Sequence, residues 1–316
     1  MGAGVHPYLL AIVGPTASGK SELAMALAAL RPAEIMVADS RQVFRGMDIG
    51  TAKPSSADRE AVPHHLIDLV DPDEPFSVAQ WVERARALVP EIAERGRLPM
   101  VVGGTGLYAA ALLDGHDYAS QPWSAPVRRR LADELEAAGL ATLAARLQER
   151  DPKTAARTDL RNPRRVLRAL ERAEGGGAAP QARPYPGQSA MLAIDRPRDV
   201  LYRRIDRRAR WLLTAGGLLD EVRALLEAGY DASLPPMTGH GYGEAARHLA
   251  GDWTLDEAIE VTARRTRQYA KRQLSWFRRD PRVVWLPAGD GPAEAPAVVA
   301  AARRELDQLV LGRPID

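Results

Sequence analysis

One eight-residue stretch constrains the fold of this chain more than any other. Residues 14–21 read GPTASGKS and match the phosphate-binding P-loop pattern G-x-x-x-x-G-K-[ST]. An apolar run at 8–13 predicts a buried strand before it, and residues 22–30 carry an apolar helical face after it. This context aims backbone N–H groups and the positive end of a helix at one anion. We therefore predict an oligophosphate site formed by Gly14, Thr16, Ala17, Ser18, Gly19, Lys20 and Ser21.

Two side chains of residues 14–21, the phosphate loop, add specific chemistry. Lys20 places a mobile positive charge beside the phosphates, and the Ser21 hydroxyl is positioned to bind Mg²⁺. The alternative is a glycine-rich turn that merely opens an ordinary helix. The preceding strand and the following helix argue against that alternative, because they are the context that the phosphate site requires.

Composition limits the remaining possibilities. The 316 residues suffice for an α/β core and a second module. The absence of Cys excludes disulfides and thiolate metal sites, and the six His residues show no zinc-ligand spacing. No long uncharged apolar run and no signal-peptide pattern occur, so we expect a soluble, cytoplasmic protein. The 43 basic residues are nearly all Arg, a bias that genome composition alone can produce.

Polar residues follow two further predicted strands. The strands at 34–38 and 98–102 end in DSRQ and GGTG, which supply Asp39 and Thr105. In open parallel sheets, ligands bind beyond the carboxyl ends of the strands, so both side chains are expected near the phosphate site. A carboxylate there can bind Mg²⁺, act as a general base or cap a turn, and the sequence leaves these roles open. Glycines in place of a magnesium-binding Asp argue weakly against nucleotide hydrolysis.

The rest of the chain predicts an α/β fold: a P-loop-type parallel sheet core flanked by helices, with an all-helical inserted domain. Further strands are expected at 65–69, 190–194 and 283–286, and further helices at 77–95, 126–150, 152–174, 198–228 (interrupted near 216), from 244, at 254–279 and at 291–311. Because residues 118–189 hold no strand pattern, we predict a discontinuous core at 1–117 and 190–316 and a helical insertion at 118–189.

Basic residues concentrate in two of the predicted helices. Six Arg residues lie between 157 and 172, and residues 264–282 hold eight basic residues against one acid. Tyr269, Trp276 and Phe277 are interleaved with the second group. Basic charge with aromatic side chains is the pattern expected for RNA backbone contact and base stacking. The alternative is a solvated helix face whose aromatic residues pack inward.

Five segments, taken in order, resemble the tRNA dimethylallyltransferase (tRNA isopentenyltransferase) family. They read GPTASGKS, ADSRQVFRGMDIGTAKP, GGTGLY, NPRRVLRALE and QYAKRQLSWFR, and the resemblance spans residues 8 to about 286. It implies a P-loop α/β core with a helical insertion, and transfer of the dimethylallyl group from dimethylallyl diphosphate to N6 of the adenosine 3′-adjacent to the anticodon. It also implies a Mg²⁺ cofactor and a tRNA anticodon stem-loop as partner. We expect a monomer that does not associate with membranes.

The resemblance implies roles for individual residues. Asp39 would be the general base, Thr105 would lie near the path of the transferred group, and Lys20 would stabilise the leaving diphosphate. Arg223 would contact the diphosphate as well. The positions assigned to tRNA contact are Asp39, Ser40, Arg41, Gln42, Thr105, Arg128, Arg164, Arg165, Arg168, His240, Gly241, Tyr242, Lys271, Arg272, Gln273, Trp276 and Arg278. Because a stacked adenine cannot reach the site, it would have to be flipped out of the anticodon loop.

Two positions depart from the family pattern. Phe44 stands where many relatives have Tyr, and Gly243 stands where a basic residue is usual, which puts one tRNA contact in doubt. Three other functions remain open from the residues alone. A P-loop small-molecule kinase would need a hydroxyl-bearing acceptor rather than a basic surface. A nucleotide-gated RNA-binding protein would not need Asp39, and a free-adenylate isopentenyltransferase would not need the arginine-rich insertion.

Overall fold

The computed structural model describes residues 6–115, 125–175 and 182–311, which form two compact units. The first unit contains the described residues up to Leu113 and from Pro184 onward, and the second runs from Asp114 to Arg183. The sequence placed the inserted domain at 118–189. Its end lies earlier because the Tyr185 N–H donates to the Leu113 carbonyl, and the Tyr185 hydroxyl donates to the Pro7 carbonyl at 2.5 Å.

A six-stranded sheet forms the centre of the first unit. Its strands are β1 (Leu9–Val13), β2 (Ala33–Val37), β3 (His64–His65), β4 (Leu98–Gly103), β5 (Ser189–Asp195) and β6 (Val283–Pro287). They pair in the order β3-β2-β4-β1-β5-β6, and every pairing is parallel. The predicted α/β class with a parallel sheet is confirmed. Strands β1, β2 and β4 are buried along their whole length, as expected when helices cover both faces.

Nine helices complete the first unit in the described part of the chain. They are α1 (Lys20–Leu30), α2 (Ser56–Ala61), α3 (Val78–Glu94), α4 (Gly106–Leu113), α8 (Arg198–Leu213), α9 (Leu218–Glu227), α10 (Tyr242–Leu249), α11 (Leu255–Phe277) and α12 (Pro296–Leu311). The start of α3 at Ser77 and that of α11 at Thr254 have complete capping boxes, each satisfying two backbone N–H groups that lack helical partners. Of the helices that the structure describes, none is long and apolar enough to cross a membrane.

The second unit consists of α5 (Ala125–Arg150), α6 (Pro152–Arg157) and α7 (Pro163–Gly175). Its apolar core is formed by Leu131, Leu143, Leu147, Ala155, Val166, Ala169 and Leu170. The single helix expected at 152–174 is wrong, because the chain breaks between Arg157 and Pro163. Asp159 accepts a hydrogen bond from the Arg161 N–H there, and a proline cannot donate the backbone hydrogen bond that continues a helix.

The strand expected at 65–69 is wrong beyond its first residue. The φ angles of Leu66 and Asp68 are 65° and 54°, which is left-handed backbone that no strand adopts. The N–H of Asp68 instead donates to the Gln42 carbonyl, and that of Leu69 donates to the Val43 carbonyl. This segment therefore supports the loop after β2 rather than extending the sheet. The closing helix, expected from 291, begins at Pro296.

Candidate active site

The phosphate loop joins β1 to α1 through three residues with left-handed backbone. Gly14, Ala17 and Gly19 have φ angles of 126°, 62° and 103°. Gly19 is the residue before α1, and the Leu23 N–H donates to its carbonyl as the first helical hydrogen bond. The loop thus lies at the N-terminus of a helix, where backbone N–H groups and the helix dipole favour an anion.

Lys20 lies at the start of α1, and its Nζ donates to the Pro15 carbonyl at 3.1 Å. Burial lowers the pKa of Lys20 to about 8. The negative charge of Asp39 opposes this shift, and the positive charge of Arg208 adds to it. The ammonium group therefore lies within electrostatic range of the carboxylate at the end of β2. The structure brings these two residues together, as the sequence predicts for neighbouring strand ends.

Thr105 contacts the residues on both sides of Asp39. The Thr105 N–H donates to the Ala38 carbonyl at 3.1 Å, and the Ser40 N–H donates to the Thr105 hydroxyl at 3.1 Å. A Cβ on Gly103 would fall 2.0 Å from the Ala38 carbonyl oxygen, so only glycine lets the end of β4 approach so closely. Asp39 itself accepts from the Arg41 N–H at 2.9 Å. This close approach explains the glycine at the end of β4.

Two tyrosines complete the surroundings of Asp39. Burial and the negative charge of Asp39 raise the pKa of Tyr108 well above its usual range, and the Tyr108 ring stacks on the buried Trp81. The same two causes raise the pKa of Tyr269 to about 12, opposed by a hydrogen bond with the Thr105 hydroxyl. Both phenols therefore stay neutral near pH 7 and can donate or accept hydrogen bonds beside the carboxylate.

Three arginines beside the phosphate loop were not singled out by the sequence. Arg204 Nε donates to the Ala17 carbonyl at 2.9 Å, and Arg196 Nε donates to the Ser18 carbonyl at 2.7 Å. Arg208 adds a positive charge near Lys20, and burial lowers the pKa of its guanidinium. Arg204 and Arg208 belong to a cluster of five arginines at 203–210, the arginine cluster of α8, and Arg196 lies just before that helix; the sequence carries no other signal for them. These side chains hold two loop carbonyls and make the site more electropositive.

The amide of Gln273 joins the phosphate loop to the loop after β4. Its Oε1 accepts from the Thr16 N–H at 2.9 Å, and its Nε2 donates to the Gly104 carbonyl at 2.8 Å. The resemblance assigned Gln273 to tRNA contact, whereas the structure places its side chain in the interior. Of the neighbouring tRNA candidates on α11, Lys271, Arg272 and Trp276 are exposed. Arg278, also exposed, pairs with Asp195 at 3.1 Å.

The loop after Asp39 is anchored through its side chains. Arg41 Nη1 donates to the Pro235 carbonyl at 2.6 Å, and Gln42 Nε2 donates to the carbonyls of Thr51 and Ala52. Lys53 is almost fully buried beneath this loop, and its Nζ donates to the Phe44 carbonyl at 2.7 Å. These hydrogen bonds therefore fix the conformation of the loop that contains Ser40, Arg41 and Gln42.

The turn at 238–243 places His240 next to Tyr269. The ring centroids of His240 and Tyr269 are 5.3 Å apart. Burial lowers the pKa of His240 to about 4, with help from the positive charges of nearby arginines, so its ring is neutral near pH 7. Among the described residues, its buried Nδ1 has no hydrogen-bond partner. Gly241 donates its N–H to Glu244, and Tyr242 is buried with its hydroxyl on Glu221.

The remaining candidates lie outside this group. Arg223 is half-exposed on α9 and donates to Asp220 at 2.5 Å. Within the second unit, Arg128 and Arg168 both donate to the buried carboxylate of Glu171, at 2.7 and 2.9 Å. Arg164 and Arg165 are exposed in the first turns of α7. The structure thus gives Arg128 and Arg168 a common acidic partner that the sequence did not indicate.

Metal ligation in this region would use oxygen atoms. The Ser21 residue is exposed in the first turn of α1, and the Asp39 carboxylate lies close to Lys20. Within the described ranges, no group of three or more His, Cys, Asp or Glu residues could hold a metal ion. A hydroxyl and a carboxylate are hard donors of the kind that Mg²⁺ accepts together with water and substrate phosphates.

Comparisons with known proteins agree on one family. A family model described as IPP transferase matches residues 42–280, and another described as Isopentenyl transferase matches residues 7–68. The chain is 47% identical over 303 residues to a tRNA dimethylallyltransferase of Roseiflexus castenholzii, covering 95% of this chain and 98% of the relative. It is 45% identical over 284 residues to the tRNA dimethylallyltransferase of Heliobacterium modesticaldum, covering 88% of each chain.

A solved structure is also similar over nearly the whole chain. The full-length tRNA isopentenylpyrophosphate transferase from Bacillus halodurans has a TM-score of 0.71 and 38% identity, covering 96% of this chain and 98% of the other.

Proposed function

Because this chain belongs to the IPP transferase family, we propose that it transfers the dimethylallyl group from dimethylallyl diphosphate to N6 of the adenosine 3′-adjacent to the anticodon in tRNA, releasing diphosphate. The observation that carries this proposal is the juxtaposition of Asp39 and Thr105 with Lys20 and the phosphate loop. An acceptor site and an oligophosphate site then share one edge of the sheet.

The donor side of the reaction needs an anion site. As the bond between the allylic carbon and the diphosphate oxygen breaks, positive charge develops on the allyl group and negative charge on the diphosphate. Lys20 and the loop N–H groups stabilise that negative charge, and Arg208 adds to the positive potential. Arg204 and Arg196 hold the carbonyls of the same loop, which keeps the loop fixed while charge develops.

A magnesium ion fits the donor atoms of this site. The Ser21 hydroxyl would hold the ion together with diphosphate oxygens and water. When bound, Mg²⁺ neutralises part of the charge of the leaving diphosphate. Arg223 is a further diphosphate contact in this proposal, which requires its side chain to turn from Asp220 towards the donor.

The acceptor side of the reaction needs a base. The exocyclic amine of adenine is a weak nucleophile, and its nitrogen must lose a proton as the new C–N bond forms. Asp39 accepts that proton as general base, a contribution of about 10²–10⁴-fold in rate. We expect the Thr105 hydroxyl, which is held by the Ser40 N–H and Tyr269, to contact the reacting groups.

The tRNA partner would contact three groups of residues that are exposed or partly exposed. Ser40, Arg41 and Gln42 directly follow Asp39 in the chain. The exposed cations of α11 and the arginines of α7 would contact the phosphate backbone of the tRNA. The flipped adenine reaches Asp39 only after leaving its stack, at a cost of a few kcal/mol. We further expect the protein to act as a monomer in the cytoplasm, where tRNA is modified.

A transfer assay tests this function. The protein is incubated with Mg²⁺, unmodified tRNA and labelled dimethylallyl diphosphate, and the nucleosides are then analysed. Label on one adenosine beside the anticodon is the expected result. Label on free adenosine phosphates but not on tRNA would indicate a free-adenylate isopentenyltransferase. Loss of γ-phosphate from ATP without prenyl transfer would contradict the proposal and favour a kinase or an ATPase.

A further inference from the structure

Glu221, a residue of α9, accepts hydrogen bonds from two other segments of the chain. Its Oε2 accepts hydrogen bonds from the N–H groups of Asp48 at 2.9 Å and Ile49 at 2.6 Å. Its Oε1 accepts from the Gly50 N–H at 3.3 Å and from the Tyr242 hydroxyl at 2.5 Å. Three successive backbone N–H groups that converge in this way form a concave anion site, and here the protein's own carboxylate fills it.

The contacted turn supports the loop that follows Asp39. Gln42 donates its side-chain amide to the carbonyls of Thr51 and Ala52, which directly follow the N–H groups bound by Glu221. The Lys53 N–H donates to the Asp48 carbonyl, and Lys53 Nζ donates to the Phe44 carbonyl. A shift of the turn at 48–50 therefore moves the supports of residues 42–44, three to five positions after Asp39.

The fourth contact of Glu221 reaches a different segment. Tyr242 lies directly after His240 and Gly241, and the His240 ring packs near Tyr269. Tyr269 in turn hydrogen-bonds with the Thr105 hydroxyl. The Tyr242 ring also packs tightly on the turn, since a Cβ on Gly50 would fall 2.4 Å from it. Glu221 thus connects the loop after Asp39 with the turn at 238–242.

The Tyr242 hydroxyl stays protonated in its hydrogen bond to Glu221. Burial, the negative charge of Glu221 and the hydrogen bond to it raise the pKa of Tyr242 well above its usual range, and the charge of Asp48 acts in the same direction. Tyr242 is therefore a permanent donor to the carboxylate. Since charge-assisted hydrogen bonds are the strong ones, the carboxylate holds its four donors more firmly than a neutral amide would.

We propose that Glu221 is a positioning residue that fixes the loop at 40–52 and the turn at 238–242 in the arrangement that receives the tRNA acceptor nucleotide. This inference rests on the proposed function, because both segments are tRNA candidates there. Glu221 then acts on the acceptor side of the reaction, and the phosphate loop does not depend on Glu221. Neither segment contacts Glu221 through a group that the transfer reaction itself uses.

The test compares Glu221→Gln with Glu227→Gln. Glu227 is exposed at the end of the same helix, so its substitution removes the same charge without touching the turn. We expect Glu221→Gln to lower kcat/KM for tRNA about 10- to 100-fold and to change the Kd of magnesium diphosphate less than twofold. The control variant should retain both values. Unchanged kcat/KM for tRNA in Glu221→Gln would overturn the inference.

Hydrogen exchange provides a readout that does not depend on activity. The amides of Ile49 and Gly50 should exchange at least about tenfold faster in Glu221→Gln, while those of the phosphate loop should keep their wild-type rates. Equal acceleration in both regions would show general destabilisation and would overturn a specific positioning role. If Glu221→Gln does not fold, Tyr242→Phe removes one of the four donors, and a fall of about threefold in kcat/KM for tRNA is then expected. Wild-type values in Tyr242→Phe would overturn the inference in that case.

The two proposals fail in distinguishable ways. If the wild-type protein transfers no prenyl group, the proposed function fails, and the exchange rates still decide whether Glu221 holds the turn. If the wild-type protein modifies tRNA and Glu221→Gln does so with equal kcat/KM, only the positioning role fails.

Discussion

The hydroxyl of Thr105 accepts a hydrogen bond from the backbone N–H of Ser40 at 3.1 Å, which ties the end of β4 to the residue directly after Asp39. The backbone hydrogen bond from Thr105 N–H to the Ala38 carbonyl reinforces this connection from the other side of Asp39. Asp39, the proposed general base, therefore lies between two contacts with one residue. In the proposed reaction, Thr105 would serve both as a hydroxyl near the reacting groups and as a support for Asp39.

Thr105→Val should distinguish the contribution of the Thr105 hydroxyl from that of side-chain packing. The variant keeps the volume of the side chain but leaves the Ser40 N–H without its acceptor, at a cost of about 1–2 kcal/mol. We expect kcat for tRNA prenylation to fall about tenfold or more, measured under saturating substrates. Thr105→Ser retains the hydroxyl and should stay within about threefold of the wild type. Equal losses in both variants would contradict the role of the hydroxyl.

Diphosphate binding should depend on pH through Lys20. Burial lowers the pKa of this lysine to about 8, so in the free protein the ammonium form is lost as the pH rises through that value. Because the diphosphate binds the charged form, its affinity should weaken above pH 8 by up to about tenfold per pH unit. Titration calorimetry between pH 7 and 9.5 measures this trend. Lys20→Met should bind diphosphate more weakly than the wild type at pH 7, and its affinity should show no further decrease above pH 8. Identical pH profiles of affinity in the variant and the wild type would contradict the assignment of this pH dependence to Lys20.

Arg204 should matter for the donor although its contact with the phosphate loop is to the Ala17 carbonyl alone; the side chain also pairs with Glu22 at 3.6 Å. Arg204→Met removes the hydrogen bond to the Ala17 carbonyl, and a charge-assisted bond of this kind contributes about 1.5 kcal/mol. The Kd of magnesium diphosphate should rise about tenfold. Arg207→Met removes the same charge from an exposed position of the same helix and serves as control. Similar losses in both variants would indicate a general charge effect rather than support of the loop.

Gln273 should contribute to stability through its two backbone partners. Gln273→Leu leaves the Thr16 N–H and the Gly104 carbonyl without hydrogen bonds, and each such buried group costs about 1–3 kcal/mol. The free energy of unfolding should decrease by about 2–4 kcal/mol in denaturant titrations. Lys271→Leu, on the exposed side of α11, should change it by less than about 0.5 kcal/mol. A Gln273→Leu variant as stable as the wild type would show that water replaces both bonds.

Local chemistry explains which parts of the fold could be predicted from the sequence. The phosphate loop and the capping boxes at Ser77 and Thr254 each depend on residues a few positions apart, so their patterns are visible in the chain. The strand expected at 65–69 failed because left-handed backbone at Leu66 and Asp68 is imposed by contacts with the loop at 42–43, not by the residues' own preferences.

The contacts that shape the site are long-range, and the sequence could not show them. Arg204 and Ala17 are 187 positions apart, and Gln273 and Thr16 are 257 apart. The arginine cluster of α8 was visible, but only packing decides which of its members faces the phosphate loop. Glu221 carried no pattern at all, since one acid on an amphipathic helix is normally a solvated residue.

Asp39→Ala tests the proposed role of Asp39 as general base. The variant is compared with the wild type in single-turnover transfer of labelled dimethylallyl groups to tRNA, with Asp73→Ala as an exposed control. We expect Asp39→Ala to fold and to bind tRNA normally but to transfer the prenyl group at least about 100-fold more slowly, because the amine loses its proposed general base. Transfer at the wild-type rate would remove Asp39 from the mechanism.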